Sequence, residues 1–202
     1  MRKVINPQYR MGLSYLSGPI DESDLSLIRL RLNEIGIDFQ SRDRNGRITA
    51  SIEDFTNVYT YIVTSSLALG LVSGVITNAT WDSIKFVLSY TFKKIRGKKY
   101  SKVTRNGAEE KEVTFGIEVK INNDHYSFSF NGISSDETFL EATDKILHFL
   151  KSTQQQPQRL SNLTNSGLPN YIVTYDELSN IWIARSTNEI IKEKIEKSNK
   201  TE

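Results

Sequence analysis

Apolar side chains occupy every second position from 113 to 121 and again from 126 to 130, with an Asn-Asn-Asp turn between the two runs. Because successive side chains of a strand point to opposite faces, this pattern predicts a hairpin with one buried face. Ser134 and Glu137 have the spacing of a capping box, so a helix to about residue 150 should cover that face. We therefore interpret the aromatic row Tyr126, Phe128 and Phe130 as core rather than as a platform for RNA bases.

The same periodicities predict elements on both sides of this hairpin. They are a strand at 9–15, a helix at 21–36, strands at 37–40 and 47–51, three strands and a helix in the block 99–151, a second hairpin at 171–175 and 181–184, and a charged helix at 188–200. Residues 152–170 are rich in Gln, Asn and Pro, with too few apolar residues to order themselves. We therefore expect an α+β domain over 1–151, a polar linker over 152–170, and a hairpin with a charged helical tail over 171–202.

No charged residue occurs between positions 55 and 81. This run predicts a long helical region from about 52 to 95, with an apolar central helix at 67–76 packed against an antiparallel or mixed sheet. Ser66, Gly70 and Gly74 are spaced by four residues and would share one face of that helix, where backbones can approach closely. The many Ser, Thr and Asn residues in the run favour a soluble fold, and the alternative is that 61–81 inserts into a membrane.

Composition excludes several kinds of chemistry. The 202 residues contain no cysteine and two histidines, and 26 basic side chains nearly balance 24 acidic ones. A disulfide framework, a thiolate metal site and a cysteine nucleophile are thereby excluded. No phosphate-binding glycine loop, zinc motif or nucleophile elbow occurs, so we expect neither an enzyme nor a cofactor. Since no secretory signal is recognisable at the start, a cytoplasmic location is expected, with inner-membrane association as the alternative.

One segment concentrates positive charge. Seven of the 13 residues from 93 to 105 are lysine or arginine. The cations singled out as a candidate contact for anionic groups are Lys93, Lys94, Arg96, Lys98 and Lys99. They favour a solvated helix end whose cations interact with the negative pole of the helix dipole, and the alternative is a contact with anionic lipid or nucleic acid.

The order of these elements resembles the effector-associated constant component family of bacterial conflict systems. The resemblance covers about 9–151 and is carried by the apolar run 67–74, the basic exit 93–96, the hairpin 115–130 and the capped helix that begins near 134–137. It implies a small non-enzymatic accessory protein, encoded beside variable effectors, that couples sensing to effector action. No catalytic residue is implied by it.

The second hairpin is the predicted docking element. Its candidate partner-contact residues are Tyr171, Val173, Tyr175, Ile181, Trp182 and Ile183. Exposed strand edges bind partners by strand addition, so we expect an adaptor or regulatory protein of a bacterial antiviral defence or stress system. Its partner would be an operon-encoded effector or sensor, and a homo-oligomer is compatible with this expectation. The alternatives are a membrane-perturbing effector that inserts 61–81 and a nucleic-acid-binding module that uses 93–105.

Overall fold

The computed structural model describes residues 9–45, 57–104, 107–155 and 168–199. The elements in these ranges are β1 (Tyr9–Tyr15), α1 (Glu22–Glu34), β2 (Ile37–Asp43), β3 (Tyr59–Val63), α2 (Ser65–Ser73), α3 (Asn78–Ile95), β4 (Lys99–Thr104), β5 (Gly107–Glu112), β6 (Phe115–Ile121), β7 (Asp124–Ser129), α4 (Asp136–Gln155), β8 (Tyr171–Asp176), β9 (Ile181–Ser186) and α5 (Thr187–Ser198).

Seven strands form one mixed sheet in the order β2-β1-β3-β6-β7-β8-β9. Parallel and antiparallel pairs alternate across it, because β1/β2, β3/β6 and β7/β8 are parallel while β1/β3, β6/β7 and β8/β9 are antiparallel. Each parallel pair is joined by a connection that contains at least one helix, as parallel pairing requires. Strands β4 and β5 pair only with each other and form a separate two-stranded ribbon.

One face of the sheet is covered by helices α1 to α4. A small cavity is lined by side chains from β1, β3 and β6 and by others from α2, α3 and α4, so these elements share one core. Helix α3 packs between α1 and α4. Phe92 of α3 stacks on Phe139 of α4 with ring centroids 4.2 Å apart. Asp24 of α1 is buried against α3, where it accepts a hydrogen bond from Tyr90 and pairs with Lys94 at 2.9 Å.

The helix starts follow the predicted capping chemistry, with one shift. Asp21 caps α1, and its side chain and that of Asp24 form a reciprocal capping box. Helix α4 is different from the prediction, since the hydroxyl of Ser135 accepts the amide of Thr138 at 3.0 Å. The predicted box at Ser134 is therefore wrong by one residue. Several adjacent residues here can serve as caps, and the exit of the chain from β7 selects among them.

The predicted long apolar helix is wrong. Its segment contains three elements: strand β3, the short helix α2 and the first turns of α3. Strand β3 lies in the interior of the sheet between β1 and β6, and Thr60 on its other face is buried as well. Ile62, on the same face as Thr60, is 41% exposed but apolar. The strand therefore shows no polar alternation by which periodicity could distinguish it from a buried helix. Among the described residues, no helix is long and apolar enough to span a membrane.

Two further predictions concern the strands at 47–51 and in the block 99–151. The block 99–151 contains four strands before its helix rather than three, because 99–112 forms the complete β4–β5 ribbon. The predicted strand at 47–51 lies outside the described residues. The mixed sheet on helices, the C-terminal hairpin and the helix after it are confirmed.

The C-terminal hairpin is part of the main sheet. Strand β8 pairs in parallel with β7, from Tyr126 opposite Tyr171 to Ser129 opposite Thr174. Helix α4 continues to Gln155, so the first residues of the predicted linker are helical, and 156–167 lie outside the described residues. The hairpin, predicted to be attached to the α+β domain by a linker, therefore adds two strands to one end of the sheet.

Candidate partner-binding edge of the sheet

Strand β9 ends the seven-stranded sheet, and its inner side is fixed to the core. Trp182 points toward α4, where its indole Nε1–H donates to the carbonyl oxygen of Ala142 at 2.8 Å. The indole also packs edge-on against Phe128 of β7 and against Phe130, which directly follows β7, with ring centroids 5.1 and 5.2 Å apart. We call the β6–β7 pair the central hairpin. This anchoring holds the last strand in place before any partner binds.

The outer side of the same strand is apolar and exposed. Because Trp182 points inward, Ile181 and Ile183 point to the face of the sheet opposite the helices, where they are 52% and 42% exposed. Leu178, in the turn between β8 and β9, is 99% exposed. We call these three side chains, together with the backbone edge of β9 that pairs with none of the described strands, the C-terminal edge.

The six residues predicted for docking fall into two groups. Val173 and Trp182 are buried in the core, which corrects their predicted availability to a partner. Tyr171 and Tyr175 are partly buried on that same side. Only Ile181 and Ile183 face outward. Successive side chains of a strand point to opposite faces, so the two groups lie on opposite faces of the hairpin. Which group is buried depends on the face that α4 covers.

Leu178 was missed by the sequence analysis. A detectable signal was present, since a large apolar residue stands in a turn whose other residues, from Asp176 to Asn180, are polar. Turns of this kind favour polar residues, so an apolar one there indicates either packing or a partner contact. Its near-complete exposure leaves no packing partner within the described part of the chain.

Hydrogen bonds make the C-terminal edge rigid. Lys145 of α4 donates to the carbonyl oxygen of Asn180 at 2.7 Å, at the turn of the hairpin. At the other end of the hairpin, the Thr187 hydroxyl donates to the Pro169 carbonyl oxygen at 2.6 Å. The side chain of Asn170 accepts the amide of His125 at 2.8 Å, which ties this corner to β7. A preorganised edge loses less conformational entropy when it binds.

The one charged residue of β9, Arg185, is neutralised within the chain. Its guanidinium contacts Glu193 of α5 at 2.5 Å. The hydrogen bond that Arg185 donates to Glu193, supported by the negative charge of Glu193, raises the pKa of Arg185, and the same pair lowers the pKa of Glu193. The C-terminal edge therefore exposes apolar side chains, and its net charge is close to zero.

The small-residue row at 66, 70 and 74 serves packing within this chain. A Cβ on Gly70 would lie 2.5 Å from Cδ1 of Ile76 and 3.3 Å from Cε1 of Tyr9, so the glycine permits a close contact. Gly74 lies beyond the helix and ends α2 in the left-handed conformation with φ of 76°. Ser66 is exposed. The three residues do not form a single face for a second helix.

The basic segment is largely paired with carboxylates. Lys93 and Arg96 both contact Asp136, at 3.0 and 2.8 Å. Lys94 pairs with Asp24, as described above, and Lys99 pairs with Glu110 at 2.9 Å. Lys98 is exposed at the end of α3. Pairing reduces the local field that would attract phosphate groups, so the segment is a weaker anionic contact than its composition indicates.

A groove of about 550 Å³ lies between the end of α3, the base of the β4–β5 ribbon and the β7–α4 loop. Phe115 and Phe130 line its floor, and Arg96 at its rim donates to the Ser134 carbonyl oxygen at 2.8 Å. No histidine or lysine lines it among the described residues. The described ranges also contain no group of three or more His, Asp or Glu side chains placed to hold a metal ion.

Comparison with known proteins identifies no matching family model, no matching curated protein and no matching solved structure. The evidence for function therefore comes from the chain's own residues and their geometry.

Proposed function

We propose that the chain is a non-enzymatic protein-binding component that recruits its partner by strand addition at the C-terminal edge. One observation carries the proposal: the last strand of the sheet is rigidly anchored on its inner side and apolar on its outer side. The partner would supply a strand that pairs with the backbone of β9 and side chains that cover Ile181, Ile183 and Leu178.

The chemistry of β9 supports this choice of surface. Free sheet edges promote aggregation, and proteins usually protect them with charges, prolines or bulges. The sequence of β9 is Ile-Trp-Ile-Ala-Arg-Ser, which contains no proline, and its single charge is paired with Glu193. Within the described ranges helix α5 contacts β9 but no strand pairs with its outer side, and a partner strand would occupy that position. Strand addition then supplies affinity from backbone hydrogen bonds and specificity from alternate side chains.

The resemblance to the effector-associated constant component family extends the proposal to the partner. The partner would be an effector or sensor of a bacterial defence system, encoded beside this gene. The chain would then act as the constant adaptor between sensing and effector action. Residues 9–151, which carry the resemblance, would form the body of the adaptor, and the hairpin that follows them would provide its docking strand.

The test is co-expression of the tagged chain with each protein encoded by the adjacent genes, followed by affinity purification. We expect one of these proteins to be retained by the wild-type chain and lost with Ile183→Lys, because a charge on the edge opposes strand addition. The control is Ile62→Lys on interior strand β3. Ile62 is 41% exposed on the same face of the sheet but far from its edge.

Two results would contradict the proposal. Either none of the neighbouring gene products is retained by the wild-type chain, or a neighbour is retained equally by the wild type and by Ile183→Lys. Loss of binding in both variants would move the contact from the edge to the open face of the sheet, which also contradicts it. Circular dichroism of each purified variant establishes that the chains compared are folded.

A further inference from the structure

The sequence of β9 is complementary to itself when two copies are placed antiparallel. We propose that, before its partner binds, the C-terminal edge is occupied by a second copy of this chain, through pairing of the two β9 strands about a two-fold axis at Ile183. This inference rests on the proposed function for the identity of the surface, and it assigns the occupant of that surface in the isolated protein.

The faces of the sheet limit the register. Residues directly opposite each other in an antiparallel pair point to the same face. A continuous sheet therefore requires the axis to pass through a residue rather than between two residues. With the axis at Ile183, the two Ile183 side chains meet on the open face. Ile181 then lies opposite Arg185 of the second copy, and Trp182 lies opposite its Ala184.

The other residue-centred registers are less favourable. An axis at Arg185 would leave residues 181–183 outside the pairing, because their opposite positions lie beyond the end of β9 at Ser186. An axis at Ala184 would leave Ile181 outside the pairing. An axis at Trp182 would extend the pairing into Asn180, a turn residue in the left-handed conformation with φ of 59°. An axis at Trp182 also pairs Ile181 with Ile183, but within β9 it joins only the three residues from 181 to 183, whereas the axis at Ile183 joins the five residues from 181 to 185.

Charge also permits this arrangement. In each copy, Arg185 is held by Glu193 of its own α5 at 2.5 Å, so the two copies do not bring unpaired like charges together. The aliphatic part of Arg185 can then cover Ile181 of the second copy while its guanidinium stays paired. A strand pair of this length is a small interface, so the dimer is expected to be weak and displaceable by a better partner.

The absence of cysteine from the chain allows a direct test. Ile183→Cys is treated with a short bismaleimide cross-linker and analysed on a denaturing gel. We expect a cross-linked dimer at least fivefold more abundant than for Leu30→Cys. Leu30 is 57% exposed on α1, so its thiol is at least as accessible as one at Ile183. Equal yields from the two variants would overturn the inference.

Register is tested by mixing two further variants. Ile181→Cys and Arg185→Cys should cross-link with each other more efficiently than either does alone, because the axis at Ile183 places these positions opposite each other. Cross-linking of either variant alone that equals the yield of the mixture would contradict the assigned register.

The solution state gives an independent measurement. We expect light scattering during size-exclusion chromatography to show a concentration-dependent dimer for the wild type, and at least tenfold weaker association for Ile183→Lys, which places two ammonium groups at the axis. If the wild type is monomeric but Ile183→Lys abolishes partner capture, only this inference fails. If the dimer forms and no neighbouring gene product is captured, the proposed function fails instead.

Discussion

The two long hairpins of the sheet have the same sequence pattern and different surroundings. In the central hairpin, β6 pairs with β3 and β7 pairs with β8, so both outer edges are occupied. In the terminal hairpin, formed by β8 and β9, β8 also pairs with β7, whereas β9 pairs with β8 alone and has no strand on its outer side within the described part of the chain. Both hairpins alternate apolar and polar positions, and both contribute aromatic residues to one cluster under α4.

The difference is visible in the side chains that alternate with the core. On the central hairpin the non-core positions are Gly116, two serines and the charged or polar residues Glu118, Lys120 and His125, of which Glu118 and His125 contact each other at 3.2 Å. On β9 they are Ile181, Ile183 and Arg185. The central strands have neighbouring strands on both sides, so their backbone edges are not exposed. On an end strand, exposed apolar side chains promote association unless a partner covers them. Location at the end of the sheet thus turns an ordinary hairpin into a candidate binding surface.

The largest contrast in stability should come from comparing one position in each hairpin. Phe128 is fully buried between Phe149 and Trp182. Phe128→Ala should lower the free energy of unfolding by about 3–5 kcal/mol, because it creates a cavity in the aromatic cluster. Ile183→Ala should change it by less than about 0.5 kcal/mol, because the side chain is exposed on an edge. Urea unfolding followed by circular dichroism measures both, and similar losses would show that the edge is structural.

The second prediction concerns close packing behind the central hairpin. A Cβ on Gly116 would meet the side-chain nitrogen of Asn57 and lie 2.6 Å from the carbonyl oxygen of Phe128. Gly116→Ala should therefore cost about 1–3 kcal/mol. The matched control is Gly12→Ala on β1, where the nearest atoms lie 3.7 Å away and the change should be close to neutral. Thermal unfolding of the two variants distinguishes them, and equal midpoints would contradict the packing assigned to Asn57.

A substitution on the inner side of the terminal hairpin should affect stability but not partner binding. Trp182→Phe removes the hydrogen bond to Ala142 but keeps an aromatic ring in the cluster. We expect a loss of about 1–2 kcal/mol in the free energy of unfolding. Retention of the partner in affinity purification should be unchanged, because the ring points away from the edge. A folded Trp182→Phe chain that no longer retains the partner would mean that the partner contacts the helix side.

The smallest effect is expected at alkaline pH. Burial, reinforced by the charge of Asp124, raises the pKa of Tyr126 in the central hairpin from 10.0 to about 12. The folded chain thus keeps a proton that the unfolded chain releases near pH 10, so stability is complete below that pH and falls as pH rises toward 12. Tyr126→Phe should reduce the loss between pH 9 and pH 11 by about 1 kcal/mol.

The terminal hairpin provides the comparison for this titration. Burial, together with the charges of Asp124 and Glu189, raises the pKa of Tyr171 as well, and its ring stacks on Tyr126 at 5.1 Å. Tyr171→Phe should reduce the loss in the free energy of unfolding between pH 9 and pH 11 by less than Tyr126→Phe does, since Tyr171 is less buried. Urea unfolding at pH 9, 10 and 11 provides the measurement. An identical pH dependence in the wild type and in Tyr126→Phe would refute the assignment.

The elements that sequence analysis predicted correctly are those whose two sides differ. Strand β1, the central hairpin and the terminal hairpin each have one covered face, so alternation is visible in the printed sequence. Strand β3 is the counterexample. Tyr59 and Tyr61 are buried on one face, while the other face carries the buried Thr60 and the exposed but apolar Ile62, so the strand is uncharged, lacks a regular alternation of apolar and polar residues, and resembled a helix.

The candidate site was predicted by element but not by side chain. The sequence placed a docking hairpin at 171–184 and included Ile181 and Ile183, which are exposed, but also Val173 and Trp182, which are buried. The basic segment was likewise recognised, while its pairing with Asp136 and Asp24 was not, because those carboxylates lie more than 35 positions away along the chain. Local pattern carries no information about such distant partners.

The amino-acid sequence by itself determined the alternation of the one-sided strands, the Asp21 cap of α1 and the lack of cysteine chemistry, because these depend on composition or on neighbours within a few residues. Tertiary structure alone decided that the 55–81 run folds as a strand and two helices, that the terminal hairpin joins the main sheet, and that β9 lies at its end. These outcomes depend on which strands meet across long stretches of chain. The physical reason is that the burial of side chains and the pairing of backbone groups involve strands from the whole sheet. The sequence of a single strand therefore does not show whether another strand will pair with its edge.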